Sequence, residues 1–155
     1  MHQQFLQQAI ELACQNVVAN SGGPYGAVIV HDGRVIASSG NRVTHDLDPT
    51  AHAEIMTIRA ACQFLQDFQL TDCILYASCE PCPMCLGAIY WARLKEVYYA
   101  SNRLDAAAAG FDDCFIYDEL EKHPEQRKIA MRQLTIGNAR RPFELWRAQQ
   151  DKLPY

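Results

Sequence analysis

Two short stretches, His52-Ala53-Glu54 and Pro81-Cys82-Pro83-Met84-Cys85, most restrict what this chain can fold into. Together they supply one imidazole, two thiols and one further carboxylate, about thirty residues apart. Cys82 and Cys85 are three positions apart, so on a helix they share a face and reach one ion. His52 and Glu54 stand two apart and would point to nearly opposite sides of a helix. They converge only where a helix meets the ion end-on. Pro49 and Pro83 argue for that geometry, because proline suits the first helical position. The fold is therefore expected to bring two helix N-termini, each with its partial positive charge, to one point. Three protein ligands with an open fourth position mark a catalytic zinc, and four protein ligands mark a structural one. His52, Cys82 and Cys85 make the first kind of site and leave Glu54 as a proton carrier, a role typically worth about 10² to 10⁴ in rate. Spacing alone leaves a second reading open. Cys79 extends the cysteines to a double C-x-x-C, and with His52 the three sulfurs would close a structural site.

The rest of the chain alternates helical and strand periods. Residues 5–19 read as an amphipathic helix, with Leu6, Ala9, Ile10, Ala13 and Val17 at helical spacing, and residues 20–24 end it. Residues 25–30 and 34–41 read as strands around an Asp32-Gly33 hairpin turn. After a polar loop, 42–48, a helix is expected with Asp48 as cap and Pro49 at its first position, or with Thr50 as cap. Residues 73–78 read as a buried strand. Cys82 reads as the cap of a helix from Pro83 to about residue 93. Residues 96–100 and 128–136 read as fourth and fifth strands, and 115–121 and 141–151 as further helices. This order implies one layered α/β domain over residues 1–155, its helices covering a mixed five-stranded sheet. Tyr90, Trp91, Cys14, Cys62, Cys73 and Cys114 are expected to be core residues.

A net charge of −4 gives no basic face for nucleic acid, because Arg140-Arg141 and their neighbours stand among many acids. The site is therefore expected to take a small molecule. No apolar run reaches membrane-span length, and the opening Met1-His2-Gln3-Gln4 lacks the basic region of a secretory leader. Seven cysteines, three of them at metal-binding spacing, suit reduced thiols in the cytoplasm.

The H-x-E and P-C-x-x-C pieces match the signature of zinc nucleobase deaminases at every specified position. The run from Cys79 to Arg93 resembles the cytidine-deaminase-like superfamily and, within it, the small bacterial guanine deaminases. Gly22-Gly23-Pro24-Tyr25-Gly26, Asp48-Pro49-Thr50-Ala51-His52-Ala53-Glu54, residues 107–113 and the terminal Tyr155 extend the resemblance over nearly the whole chain. It implies a cytidine-deaminase-like three-layer α/β/α fold. It also implies one Zn²⁺ per subunit, held by His52, Cys82 and Cys85, and hydrolysis of guanine to xanthine and ammonia. In such a reaction zinc-activated hydroxide attacks C2 while Glu54 carries protons to N3 and then to the leaving amine. The resemblance further implies that Asn41 and the Ala53 N–H hold the purine, that Tyr25 packs near it, and that Asp113 and Tyr155 serve recognition and amine release. Its members are homodimers, in which a C-terminal arm, here about residues 138–155, crosses to cap the partner's site. The motifs alone also suit a diamino-triazine, cytosine or tRNA adenosine deaminase, or a zinc-stabilised binding module without chemistry.

Overall fold

The Asp32-Gly33 pair sets the register of the sheet. In the computed structural model, which describes residues 1–155, both residues have positive φ, 49° and 74°. That is the two-residue turn whose twist suits an antiparallel hairpin. It joins strands β1 (Gly26–His31) and β2 (Arg34–Gly40), which pair antiparallel. On its other edge β1 pairs antiparallel with β3 (Cys73–Cys79), and β3 pairs in parallel with β4 (Glu96–Ser101). The mixed sheet has the order β2-β1-β3-β4.

Alternation along β1 decides what each face packs against. Val28 and Val30 join Phe5 and Ala9 of helix α1 (His2–Val18), together with Tyr76 of β3. Ala27 and Ile29 face the other way. They pack with Ile58 and Ala61 of α3 (Ala53–Leu65), Leu75, and Ile89 of α4 (Pro83–Trp91). The result is three layers, helix over sheet over helices. Gly26 lets α1 come close, since a Cβ there would collide with the Ala9 carbonyl and come within 2.7 Å of the Ala13 nitrogen.

The chain forms two units, residues 1–113 and residues 114–155. The first also holds α2 (Val43–Asp46) and α5 (Arg103–Ala108). The second holds α6 (Cys114–Glu121), a 3-10 turn (Pro124–Gln126) and α7 (Arg141–Ala148). No helix is long and apolar enough to cross a membrane.

Several expectations are corrected. The sheet has four strands, not five, because residues 128–136 form no strand. Ile129, Met131, Leu134 and Ile136 are all exposed and no strand of the chain pairs with them. A strand exists only through a neighbour's hydrogen bonds. Helix α3 begins at Ala53, not at Pro49. Asp48 Oδ1 accepts hydrogen bonds from the Thr50 N–H at 2.8 Å and the Thr50 hydroxyl at 2.7 Å, so residues 48–51 turn instead. The loop 42–48 contains the short α2, and the last helix stops at Ala148. Tyr90 and Trp91 lie on the outer side of α4, 75% and 66% exposed, and Cys14 and Cys114 are exposed as well.

Candidate metal centre

His52 and Cys82 are the N-cap residues of α3 and α4. An N-cap side chain ordinarily accepts an N–H of the first turn. Neither does so here, and both backbones are extended, with ψ of 154° and 169°. Their side chains turn toward each other. Cys85, one turn into α4, is fully buried on the same side. His52 Nδ1 consequently lies 3.5 Å from the sulfur of Cys82 and 3.5 Å from that of Cys85. The donor atoms of the three residues all lie within 4.8 Å of one another. Tetrahedral zinc, with bonds of about 2.3 Å to sulfur and about 2.0–2.1 Å to nitrogen, sets nitrogen and sulfur about 3.5 Å apart. The donor chemistry and the spacing both fit that ion. Cys79, the other candidate sulfur, stands outside this cluster and donates to the Asn102 carbonyl at 3.5 Å. The closed four-ligand alternative lacks its third sulfur.

Charge in the centre is already biased toward a cation. A hydrogen bond from Cys85, and a further one from His52, push the Cys82 thiol down to about 4 despite burial. The same bond to Cys82, followed by burial, pushes the Cys85 thiol up. His52 is raised by its hydrogen bond to Cys82, with burial working against it. The protons shared in this knot are those a metal displaces when thiolates and neutral imidazole become ligands. The first-turn N–H groups of α3 and α4, which have no intrahelical partners, add partial positive charge at the same place.

Glu54 follows directly, in the first turn of α3, and is only 6% exposed. Burial is the main cause that raises its carboxyl above the usual range, and the Cys82 charge adds to it. A carboxyl so placed holds and gives up protons nearer neutrality than a surface acid does.

The other residues singled out in the sequence lie on several segments. Asn41, just past β2, is buried. Its Oδ1 accepts from the Val43 N–H at 3.1 Å and the Gly23 N–H at 3.4 Å, which leaves Nδ2 as its free donor. Ala53, fully buried, is the first residue of α3, so its N–H is one of that helix's orphan donors. Tyr25 meets Phe111 edge-on, with ring centroids 5.3 Å apart and planes at 87°. Burial pushes the Tyr25 phenol up to about 12, helped by the charges of Cys79, Glu54, Asp113 and Cys82. Burial also raises the Asp113 carboxyl, with the Cys82 charge second. Tyr155 belongs to residues 114–155, where its ring meets Trp146 at 6.4 Å.

Phe111 enters the sequence reading only as part of residues 107–113 of the resemblance, and its contact with Tyr25 is not foreseen there. Its placement depends on Gly110, whose φ of 93° closes α5, with the Phe111 N–H bonded to the Ala106 carbonyl at 2.9 Å. The glycine was the visible signal, but the ring's meeting with Tyr25 was not.

Residues 1–101 match the family model described as the cytidine and deoxycytidylate deaminase zinc-binding region. The guanine deaminase of Bacillus subtilis is 56% identical over 154 residues, 99% of each chain. An X-ray structure of guanine deaminase from Bacillus subtilis superimposes with a TM-score of 0.98, covering 100% of this chain and 99% of that one at 56% identity. A tRNA-specific adenosine deaminase of Agrobacterium fabrum is 53% identical over 79 residues, 51% of this chain and 52% of its own. The likeness to the adenosine deaminase stops at half the chain, whereas the likeness to guanine deaminase runs from end to end. With the three clustered donors, the buried carboxylate beside them and these matches together, the chain belongs to the cytidine and deoxycytidylate deaminase family.

Proposed function

We propose that this enzyme is a zinc-dependent guanine deaminase, converting guanine and water to xanthine and ammonia. The observation that carries the chemistry is the buried Glu54 carboxyl next to a three-donor cluster from which Cys79 is excluded. The full-length likeness to guanine deaminase supports the substrate.

His52, Cys82 and Cys85 would hold one Zn²⁺ per subunit, since they form the one cluster of such donors. When bound, zinc supplies a Lewis acid that brings the pKa of water from about 15.7 toward about 7. Glu54 takes a proton from the attacking water and delivers it to ring N3, which leaves C2 tetrahedral. It then passes the second proton to the departing amine. Asn41 donates through Nδ2 to a ring acceptor, and the Ala53 N–H helps hold the base. Tyr25 packs against the ring with Phe111 behind it. Asp113 and Tyr155 serve purine recognition and release of the amine.

The enzyme works as a homodimer in which residues 138–155 of one subunit cap the other's site. Exposed apolar side chains support this, with Phe143 at 67% and Leu145 at 54% in α7, and Tyr90 at 75% on α4. Seven free cysteines suit a reducing, cytoplasmic setting. The net charge of −4 favours a small substrate over RNA.

Ammonia release by the zinc-loaded protein, measured over guanine, guanosine, adenine, cytosine and a diamino-triazine, tests the reading. Turnover of guanine is expected. Ammonia from adenine or cytosine with none from guanine would overturn the substrate and leave the role of Glu54 standing.

A further inference from the structure

The Asn16 carboxamide ties together backbone from three parts of the fold. It stands in the last turn of α1, and its Nδ2 donates to the Gly23 carbonyl and to the Asn41 carbonyl, each at 2.8 Å. Both amide hydrogens are thereby engaged. Two glycines leave room for the group. A Cβ at Gly40 would come within 2.7 Å of Asn16 Oδ1 and 2.8 Å of its Cγ. A Cβ at Gly22 would collide with the Asn41 carbonyl and come within 2.9 Å of Asn16 Nδ2. The residues gripped in this way are the two that meet again at the Asn41 side chain, where the Gly23 N–H donates to Oδ1. Helix α1 is itself fixed to the sheet through Phe5, Ala9 and Ala13. Asn16 thus refers the Gly23 loop and the end of β2 to a packed element.

We propose that Asn16 is a positioning residue for substrate binding, holding Gly23 and Asn41 so that the Asn41 carboxamide presents Nδ2 to the purine. The inference rests on the function proposed above through the Asn41 contact alone. Asn16→Ala removes both donors and frees two carbonyls. Asn16→Asp is sharper at nearly equal size, because carboxylate oxygens would face the same two carbonyl oxygens.

Steady-state kinetics with guanine test this on the zinc-loaded full chain. The set is wild type, Asn16→Ala, Asn16→Asp, Asn41→Ala and the double alanine variant, each with a thermal melt and a zinc assay. Loss of one well-aimed hydrogen bond corresponds to about a tenfold change in binding. Asn16→Ala should raise KM about tenfold with a smaller change in kcat, and Asn16→Asp should raise it further. In the Asn41→Ala background, Asn16→Ala should leave KM where it is, because the residue through which it acts is gone. A lower melting temperature with unchanged KM would make Asn16 a structural residue only and overturn the inference. KM effects that multiply in the double variant would overturn it too. Failure of Asn41→Ala to change KM is a separate result: it removes the purine contact assigned to Asn41 and the inference with it.

Discussion

Glu54→Gln separates proton transfer from the other things the Glu54 side chain does. At 6% exposure the site leaves little spare volume, so the amide, nearly the same shape, is the substitution that keeps the packing. Glu54 is not among the clustered donors His52, Cys82 and Cys85, so zinc content should stay at the wild-type level. The amide cannot shuttle protons. General acid–base help is typically about 10² to 10⁴, and Glu54 serves both transfers, so kcat should fall toward the upper end. A loss of about 10⁴ corresponds to about 5.4 kcal/mol in the barrier. KM should move much less. A second effect runs the other way. Burial is the first cause raising the Glu54 carboxyl above its ordinary value of 4.5. A group with a raised folded pKa contributes stability that is complete below its unfolded pKa and is lost as pH rises through the folded one. As pH rises above about 4.5 the metal-free wild type progressively loses that contribution, and metal-free Glu54→Gln, which has no such titration, should melt higher by a margin that grows with pH. The gap should close as pH falls below about 4.5. Ammonia release, metal analysis and melts of the chelated proteins read the three quantities. A kcat within tenfold of wild type with zinc in place would mean another group moves the protons. Loss of zinc would put Glu54 among the ligands.

Burial raises the Tyr25 phenol to about 12, so its stabilising contribution is whole below pH 10 and disappears as pH rises from 10 to 12. An ultraviolet tyrosinate titration of wild type minus Tyr25→Phe should show one phenol ionising near the upper value, and ionisation near 10 would refute the burial argument. Cys79→Ala should keep its zinc, because the Cys79 sulfur points to the Asn102 carbonyl and not into the donor cluster. Metal lost from that variant would restore the closed Cys₃His site. Removing residues 153–155, or changing Tyr155→Ala, should lower turnover with bound zinc intact, and unchanged kinetics would exclude the terminal tyrosine from the site.

The metal centre was legible because its determinants are local. Pro83 and the C-x-x-C spacing settle where α4 starts and which side its cysteines take, and the cap position of Cys82 follows. The H-x-E spacing forces an end-on approach whatever else the chain does, and the structure meets that demand by making His52 a cap residue. The same local chemistry misled at Asp48-Pro49-Thr50. An Asp before Pro suits a helix start and a tight turn equally, and the choice fell to the turn when Asp48 Oδ1 bonded the Thr50 N–H and hydroxyl. Residues 128–136 fail for the opposite reason. Their apolar content is a property of the segment, but a strand is a property of a pair. Asn16 and Phe111 depend on distant backbone: the Asn16 bond to Asn41 spans 25 residues, and Phe111 reaches Tyr25 only after Gly110 has turned the chain. The double glycine at 22–23 did carry a trace of this, since adjacent residues without side chains announce that something comes close. What comes close is an amide side chain and a carbonyl, set by how α1 lies on the sheet. Spacing along a chain specifies which groups can share an ion, and packing between elements specifies how firmly the residues beside that ion are aimed.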